Sequence, residues 1–133
     1  PTPTVTPTPT ATPNRGNTAR LGNNTGTLEV GETDIWEFEA QAGDVLSIEI
    51  IAANPARDGA ATPRDPNGLD TLVELRTNGG GLLDTNDDRE PGVITNSLIV
   101  AYAIEIDGIY EIHVTSWDKQ SGGDYTLIVE NLS

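Results

Sequence analysis

Residues 34–40 read "DIWEFEA" and residues 45–51 read "VLSIEII". In the first stretch Trp36, Phe38 and Ala40 alternate with Glu37 and Glu39. In the second, Leu46, Ile48 and Ile50 alternate with Ser47 and Glu49. A period of two sends successive side chains to opposite faces, so each stretch predicts a strand with one apolar and one polar face. Between them "QAGD" supplies a turn, with Gly43 placed where a positive φ is needed. No stretch of the chain has convincing 3.6-residue periodicity.

The same pattern runs outward in both directions. Upstream, "GTLEV" starts a strand at Gly26, and "GET" turns it. Downstream, "AANPARDGAATPRDPNG" is too rich in Pro and Gly for regular structure. "LDTLVELRT" is a strand with Val73 and Leu75 on one face, turned by "NGGG". "LLDTNDDREPG" reads as a short strand and an acidic loop. "SLIVAYAIEI" and "IYEIHVTSW" are strands joined at "DG", a hairpin signal. After "SGGD", the strand "YTLIVE" sends Tyr125, Leu127 and Val129 inward. The fold class expected is all-β: an antiparallel, jelly-roll-like β-sandwich of about eight strands.

Composition narrows the function. The chain has 133 residues, 21 acids against 7 Lys and Arg, and a net charge of −14. Nucleic acid and anionic membranes need a basic face and are not expected partners, whereas cations and cationic surfaces are. There is no Cys, so stability must come from packing rather than disulfides. No apolar run approaches the length of a membrane span. A first residue that is Pro, and the absence of Met, are expected of a processed product whose secretory signal lay upstream.

Residues 1–25 form a separate unit ahead of the sandwich at 26–133. The opening "PTPTVTPTPTATP" has Thr at every even position and Pro only at odd ones, so an extended, semi-rigid tail is expected. Asn14 to Thr25, "NRGNTARLGNNT", reads as a polar linker. Thr2, Thr4, Thr6, Thr8, Thr10 and Thr12 are candidates for O-linked sugar. They also share one edge of an extended strand. Their N–H and C=O groups could pair with a sheet edge of a neighbouring copy, while the Pro edge would block further growth.

The order "GTLEVGETDIWEFEAQAGDVLSIEI", "LDTLVELRTNGGGLLDTNDD", "DGIYEIHVTS", "SGGDYTLIVE" resembles the bacterial pre-peptidase C-terminal (PPC) domain, over roughly Gly26 to Asn131. The resemblance implies a secreted, non-catalytic β-sandwich of the kind appended to extracellular hydrolases, with relatives in bacterial collagenases that bind collagen and calcium. The acids that precede the first strand in those relatives have no counterpart in "NRGNTARLGNNTG". The exposed aromatics they use have candidates only in Tyr102 and Trp117. Tyr110 and Tyr125 begin inward-facing rows and are expected in the core.

The residues do not assemble an enzyme. Alternation sends the one histidine, His113, to a solvated polar face beside Glu111 and Thr115, away from any recognisable nucleophile. The candidate metal ligands are Asp84, Asn86, Asp87 and Asp88, hard oxygen donors suited to calcium. Arg89 and Thr95 stand where an EF-hand needs Gly and Glu, so the site would be a sandwich loop completed by Asp70 or another distant acid. No cofactor is required, and Ca2+ is the candidate ion. The reading is a non-catalytic extracellular or cell-surface module. It would be a self-assembling subunit of a filament or layer, a homo-oligomer or polymer formed through tails docked on neighbouring copies. The alternative is a substrate-binding accessory domain of a secreted hydrolase, calcium-dependent, with an extracellular polymer as ligand.

Overall fold

The computed structural model describes residues 14–53, 69, 71–86, 97–116 and 122–133. Nine strands form two sheets. They are β1 (Asn14–Thr18), β2 (Gly22–Leu28), β3 (Asp34–Ala40), β4 (Val45–Ala52), β5 (Thr71–Thr77), β6 (Leu82–Asn86), β7 (Ser97–Ala103), β8 (Gly108–Ser116) and β9 (Gly123–Asn131). The larger sheet has the order β1-β3-β8-β5-β6 and the smaller β2-β9-β4-β7. The all-β sandwich read from the sequence is the architecture found. Among the described residues no helix is long and apolar enough to cross a membrane.

The core lies between the sheets, filled by the rows that the alternation selected. Trp36, Phe38 and Ala40 of β3 and Leu46, Ile48 and Ile50 of β4 belong to one cluster with Val73, Leu75, Ile112, Val114, Leu127 and Val129. Tyr110 and Tyr125 are buried in it, as their positions predicted. Each fully buried side chain of this size contributes about 1.5–3 kcal/mol against its exposed state.

Three features differ from the sequence expectation. First, Asn14 to Thr25, expected as a polar linker, carries β1 and the start of β2. β1 runs parallel to β3, which makes the sandwich not wholly antiparallel. A polar edge strand needs no apolar row, because its stabilisation comes from the backbone ladder, here continued by the Ala19 N–H to the Glu37 carbonyl at 2.8 Å. Hydrophobic patterning cannot detect such a strand. The turn into β2 is held by Asn24, whose Oδ1 accepts the Arg20 N–H at 2.9 Å. Its Nδ2 donates to the carbonyls of Arg20 and, across the sheet, Leu127.

Second, "DG" does not close a hairpin. β7 and β8 lie in different sheets, and Asp107 instead accepts the Ala42 N–H at 2.7 Å. Among the nine strands, β5 and β6 are the consecutive pair that are neighbours in a sheet; every other connection crosses the sandwich. Their hairpin turns at Gly80, φ 95°, whose N–H bonds the Thr77 carbonyl.

Third, the polar face of β8 is not solvated. β8 is the central strand of the larger sheet, with Ile35 and Glu74 opposite His113, and Glu37 and Arg76 opposite Glu111. Ile35 is 2% exposed and Glu111 4%. His113 Nε2 lies 2.9 Å from Glu111 Oε1, Arg76 pairs with Glu74 at 2.8 Å, and Thr115 donates to the Glu32 carbonyl. Alternation assigned the face correctly but could not register what covers it.

At one end of the interior, Thr71 Oγ1 and Ser97 Oγ lie 2.6 Å apart and join the two sheets. Ser116, opposite Thr71 in the ladder, is fully buried, and among the described residues its Oγ has no hydrogen-bond partner. A buried hydroxyl without a partner carries a desolvation cost. Ser116→Ala is therefore expected to raise stability by about 1 kcal/mol, read as a higher urea midpoint at unchanged m-value.

Candidate functional site

On the outer face of the smaller sheet, β2 and β9 pair through seven consecutive positions, from Gly22 opposite Val129 to Leu28 opposite Gly123. Within that ladder Thr25 lies opposite Thr126, and Thr27 opposite Asp124. Their side chains point away from the core, because the intervening Gly26–Tyr125 pair points into it. Together with Ala53 at the end of β4, these residues line a shallow, open groove of about 390 Å³. Its volume falls in the range of small-ligand sites, roughly 300–1,000 Å³. Thr27 Oγ1 donates to Asp124 Oδ1 at 2.7 Å, and the Ala53 N–H to the Asp124 carbonyl at 2.9 Å. The groove presents hydroxyls and one carboxylate, a lining suited to hydrogen-bonding a polar, extended ligand.

The floor of the groove is fixed from below. The Tyr125 hydroxyl donates to Asp34 Oδ2 at 2.6 Å and accepts from Trp36 Nε1 at 2.9 Å. Tyr125 belongs to the smaller sheet, and Asp34 and Trp36 to the larger, so this triad spans the core. Both Tyr125 and Asp34 are 2% exposed. Burial first, then the hydrogen bond to the Asp34 carboxylate, pushes the Tyr125 phenol far above its ordinary value; the Trp36 N–H acts in the opposite direction. Gly26 allows the close approach. A Cβ there would lie 2.7 Å from the Tyr125 oxygen and 3.2 Å from the Trp36 ring.

The residues singled out from the sequence lie elsewhere. Asp84 and Asn86 sit on β6, opposite Leu75 and Val73, and Asp87 and Asp88 fall outside the described residues. Asn86 Oδ1 accepts the Leu98 N–H at 2.9 Å, tying β6 to β7 in the other sheet. Asp84 Oδ1 accepts the Thr85 N–H at 2.8 Å. Both oxygens thus already serve the backbone. Among the described residues no three His, Asp or Glu side chains gather as a metal-holding group. Asp70, Trp117 and the six tail threonines also lie outside the described residues. Tyr102 is half-buried against the core. Burial first, with Glu105, Tyr110 and Asp84 adding to it, raises its phenol. His113 is on the outer face of the opposite sheet from the groove.

Sequence reasoning missed Thr25, Thr27, Asp124 and Thr126, because the residues of each opposed pair are about a hundred positions apart. The alternation of Asn23, Thr25 and Thr27 in "GNNTGTL" is the available signal, divided here between the stretch read as linker to Thr25 and the strand read from Gly26.

No family model matches the chain, and no curated protein matches it. Among solved structures, it is similar to the pre-peptidase C-terminal domain of collagenase from Bacillus anthracis. That match has 17% identity and a TM-score of 0.55, and it covers 90% of this chain and 98% of that one. It is also similar to PliG of Aeromonas hydrophila, a periplasmic inhibitor of g-type lysozyme. Here identity is 12% and the TM-score 0.57, with 86% of this chain and 94% of that one covered. At these identities the likeness establishes a shared sandwich fold.

The triad generates two expectations. Tyr125→Phe removes the hydroxyl and leaves the Trp36 N–H and the Asp34 carboxylate without it, a loss of about 2–3 kcal/mol in chemical denaturation; Gly26→Ala destabilises in the same direction, by about 1–3 kcal/mol. The pH dependence follows from the raised phenol. Above about pH 10 the unfolded chain loses the Tyr125 proton while the folded chain keeps it. The contribution is complete below pH 10 and is lost as pH rises, so the melting temperature should fall more steeply between pH 9 and 11 in the native chain than in Tyr125→Phe.

Proposed function

We propose that this chain is a non-catalytic binding module of an exported protein, working as an accessory domain that holds a polar polymer rather than cutting it. The observation that supports this most is the groove of Thr25, Thr27, Asp124 and Thr126 on a rigid two-strand ladder, set apart from the chain's one histidine. A hydroxyl beside a carboxylate hydrogen-bonds a ligand. The base beside Thr27 is the Asp124 carboxylate alone, since the one imidazole, His113, lies on the other sheet, bonded to Glu111. The solved relatives lend support from the fold side. One is a domain of a collagenase and the other inhibits a lysozyme, so in each the sandwich accompanies or contacts an enzyme. The collagenase domain and the periplasmic inhibitor likewise favour an extracytoplasmic setting.

The Pro/Thr segment fits this reading as a spacer between the sandwich and a further domain. Calcium belongs to the same proposal as an optional ligand of the acidic stretch at Asp84 to Asp88. Asn86, whose oxygen is engaged by Leu98, is its weakest candidate ligand. Self-assembly into a filament rests on residues 1–13, outside the described residues.

The test is co-sedimentation of the purified chain with insoluble collagen fibrils and with an insoluble polysaccharide, each in calcium and in EDTA. The proposal predicts retention on one polymer without release of soluble fragments, and a roughly tenfold loss of retention, equivalent to about 1.4 kcal/mol, in Thr25→Lys and Thr126→Lys. Fragment release that survives purification would overturn the non-catalytic reading. Retention unchanged by both substitutions would overturn the groove as the site.

A further inference from the structure

Each sheet of an open sandwich ends in two edge strands, and an edge strand presents unpaired N–H and C=O groups to any extended chain of the right shape. The four edges here are β1 and β6 in the larger sheet and β2 and β7 in the smaller. Three of them carry irregularities of the kind that discourage strand addition. β1 shifts register between Asn14 and Asn17. β6 is shifted opposite Leu75 and Arg76, and its Asn86 is tied across to β7. β7 is shifted opposite Leu46 and Ile48, and it contains Ala101 at φ 56°, a left-handed conformation unusual for a residue with a Cβ. β2 carries no register shift, and its one left-handed residue is its first, Gly22 at φ 94°, where glycine adopts that conformation without strain. Its seven residues pair with β9 without a shift, and its sequence, "GNNTGTL", contains no charge and no proline. In a chain with 21 acids, this is a regular, neutral edge.

The same chain contains a segment with the complementary chemistry. In "PTPTVTPTPTATP" every Thr is even-numbered and every Pro odd-numbered. Extended, the segment turns all its Thr N–H and C=O groups to one side and its Pro backbone to the other. It carries no charged side chain, so it can approach a −14 protein without like-charge repulsion. Seven β2 residues span about 23 Å. Thirteen extended residues reach roughly 43–47 Å, enough to cover β2 and leave a connector. β1 begins immediately after residues 1–13, so laying the segment on its own β2 would take a chain reversal within it and shorten its reach. These constraints favour a neighbour's β2 over the segment's own.

We propose that the outer edge of β2 accepts residues 1–13 of a second copy as an added strand, paired through its threonine side and capped by its proline side. Threonines on the outer face of such a strand would stand beside Thr25 and Thr27, where cross-strand Thr–Thr pairs are favourable. The contact joins two different surfaces, so it extends copy by copy unless two copies exchange segments reciprocally. The proposal goes beyond the accessory-module reading and stands apart from it: polymer retention and self-association are read in separate assays, and either can fail alone.

The experiment compares the full chain with a variant carrying Thr4→Pro, Thr6→Pro and Thr8→Pro, changes confined to the segment ahead of the sandwich. Sedimentation velocity over rising concentration gives the mass, and amide hydrogen exchange followed by NMR gives protection along residues 22–28. The proposal predicts that the full chain exceeds its 14.1 kDa monomer mass as concentration rises. Alternate β2 amides should slow by roughly tenfold as it does so. The variant should melt at the same temperature, stay monomeric and show no added protection. A full chain that stays monomeric at every concentration overturns the proposal. So does association that persists in the variant, or protection on β1, β6 or β7 instead. Protection of β2 in a chain that stays monomeric would place the segment on its own sandwich, and overturns the second-copy assignment.

Discussion

The hydroxyl of Tyr125 is the contact on which the rest of the sandwich depends. It comes from the smaller sheet and ends between two groups of the larger one, donating to Asp34 and accepting from Trp36. Hydrophobic burial supplies most of the stabilisation but has no direction, and it would tolerate the sheets sliding over one another. A buried carboxylate, phenol and indole satisfy one another in one arrangement only, and a partly satisfied set is costly. The network therefore fixes the position of β9 against β3. The ladders on either side carry that constraint outward, to β2 through Gly26 opposite Tyr125 and to β8 through Trp36 opposite Ile112. Gly26 is the complement of the network, since the space a side chain would fill is taken by the phenol. At the opposite side the Thr71–Ser97 contact and the Asn86–Leu98 bond make further sheet-to-sheet links.

How much of this was legible in the sequence follows from what each element uses for its stability. β3 and β4 announce themselves because their apolar rows alternate with Glu and Ser, and the inward placement of Tyr110 and Tyr125 follows from the same rule. β1 was illegible because an edge strand of Asn, Arg, Gly and Thr is held by its ladder and has no apolar row to read. The start of β2 was lost for the same reason. The crossing connections were hidden because "DG" and "QAGD" signal a turn without saying which sheet the next strand joins. His113 and Glu111 were placed on the right face, but their neighbours there, Ile35 and Arg76, are distant in sequence. The groove could not be seen at all until β2 and β9 were set in register.

Of the interior polar groups, Asp34, Trp36 and Tyr125 are engaged with one another and Thr71 with Ser97, while Arg76 and His113 are paired with Glu74 and Glu111 on the far face. Among the described residues, the outer face of the smaller sheet presents a hydroxyl-lined groove with a neutral strand edge beside it. Both belong to the β2–β9 pair, held in place by the Tyr125 network.

The central claim is that the cross-sheet hydroxyl contact, rather than burial of the Tyr125 ring alone, couples the sheets. A double-mutant cycle tests it most directly, combining Tyr125→Phe with Asp34→Leu, a residue of similar size that cannot accept a hydrogen bond. Unfolding free energies of the four chains should give a coupling of about 1–3 kcal/mol. Additive effects, with a coupling near zero, would mean that the two residues contribute independently and that the sheets are held by packing alone.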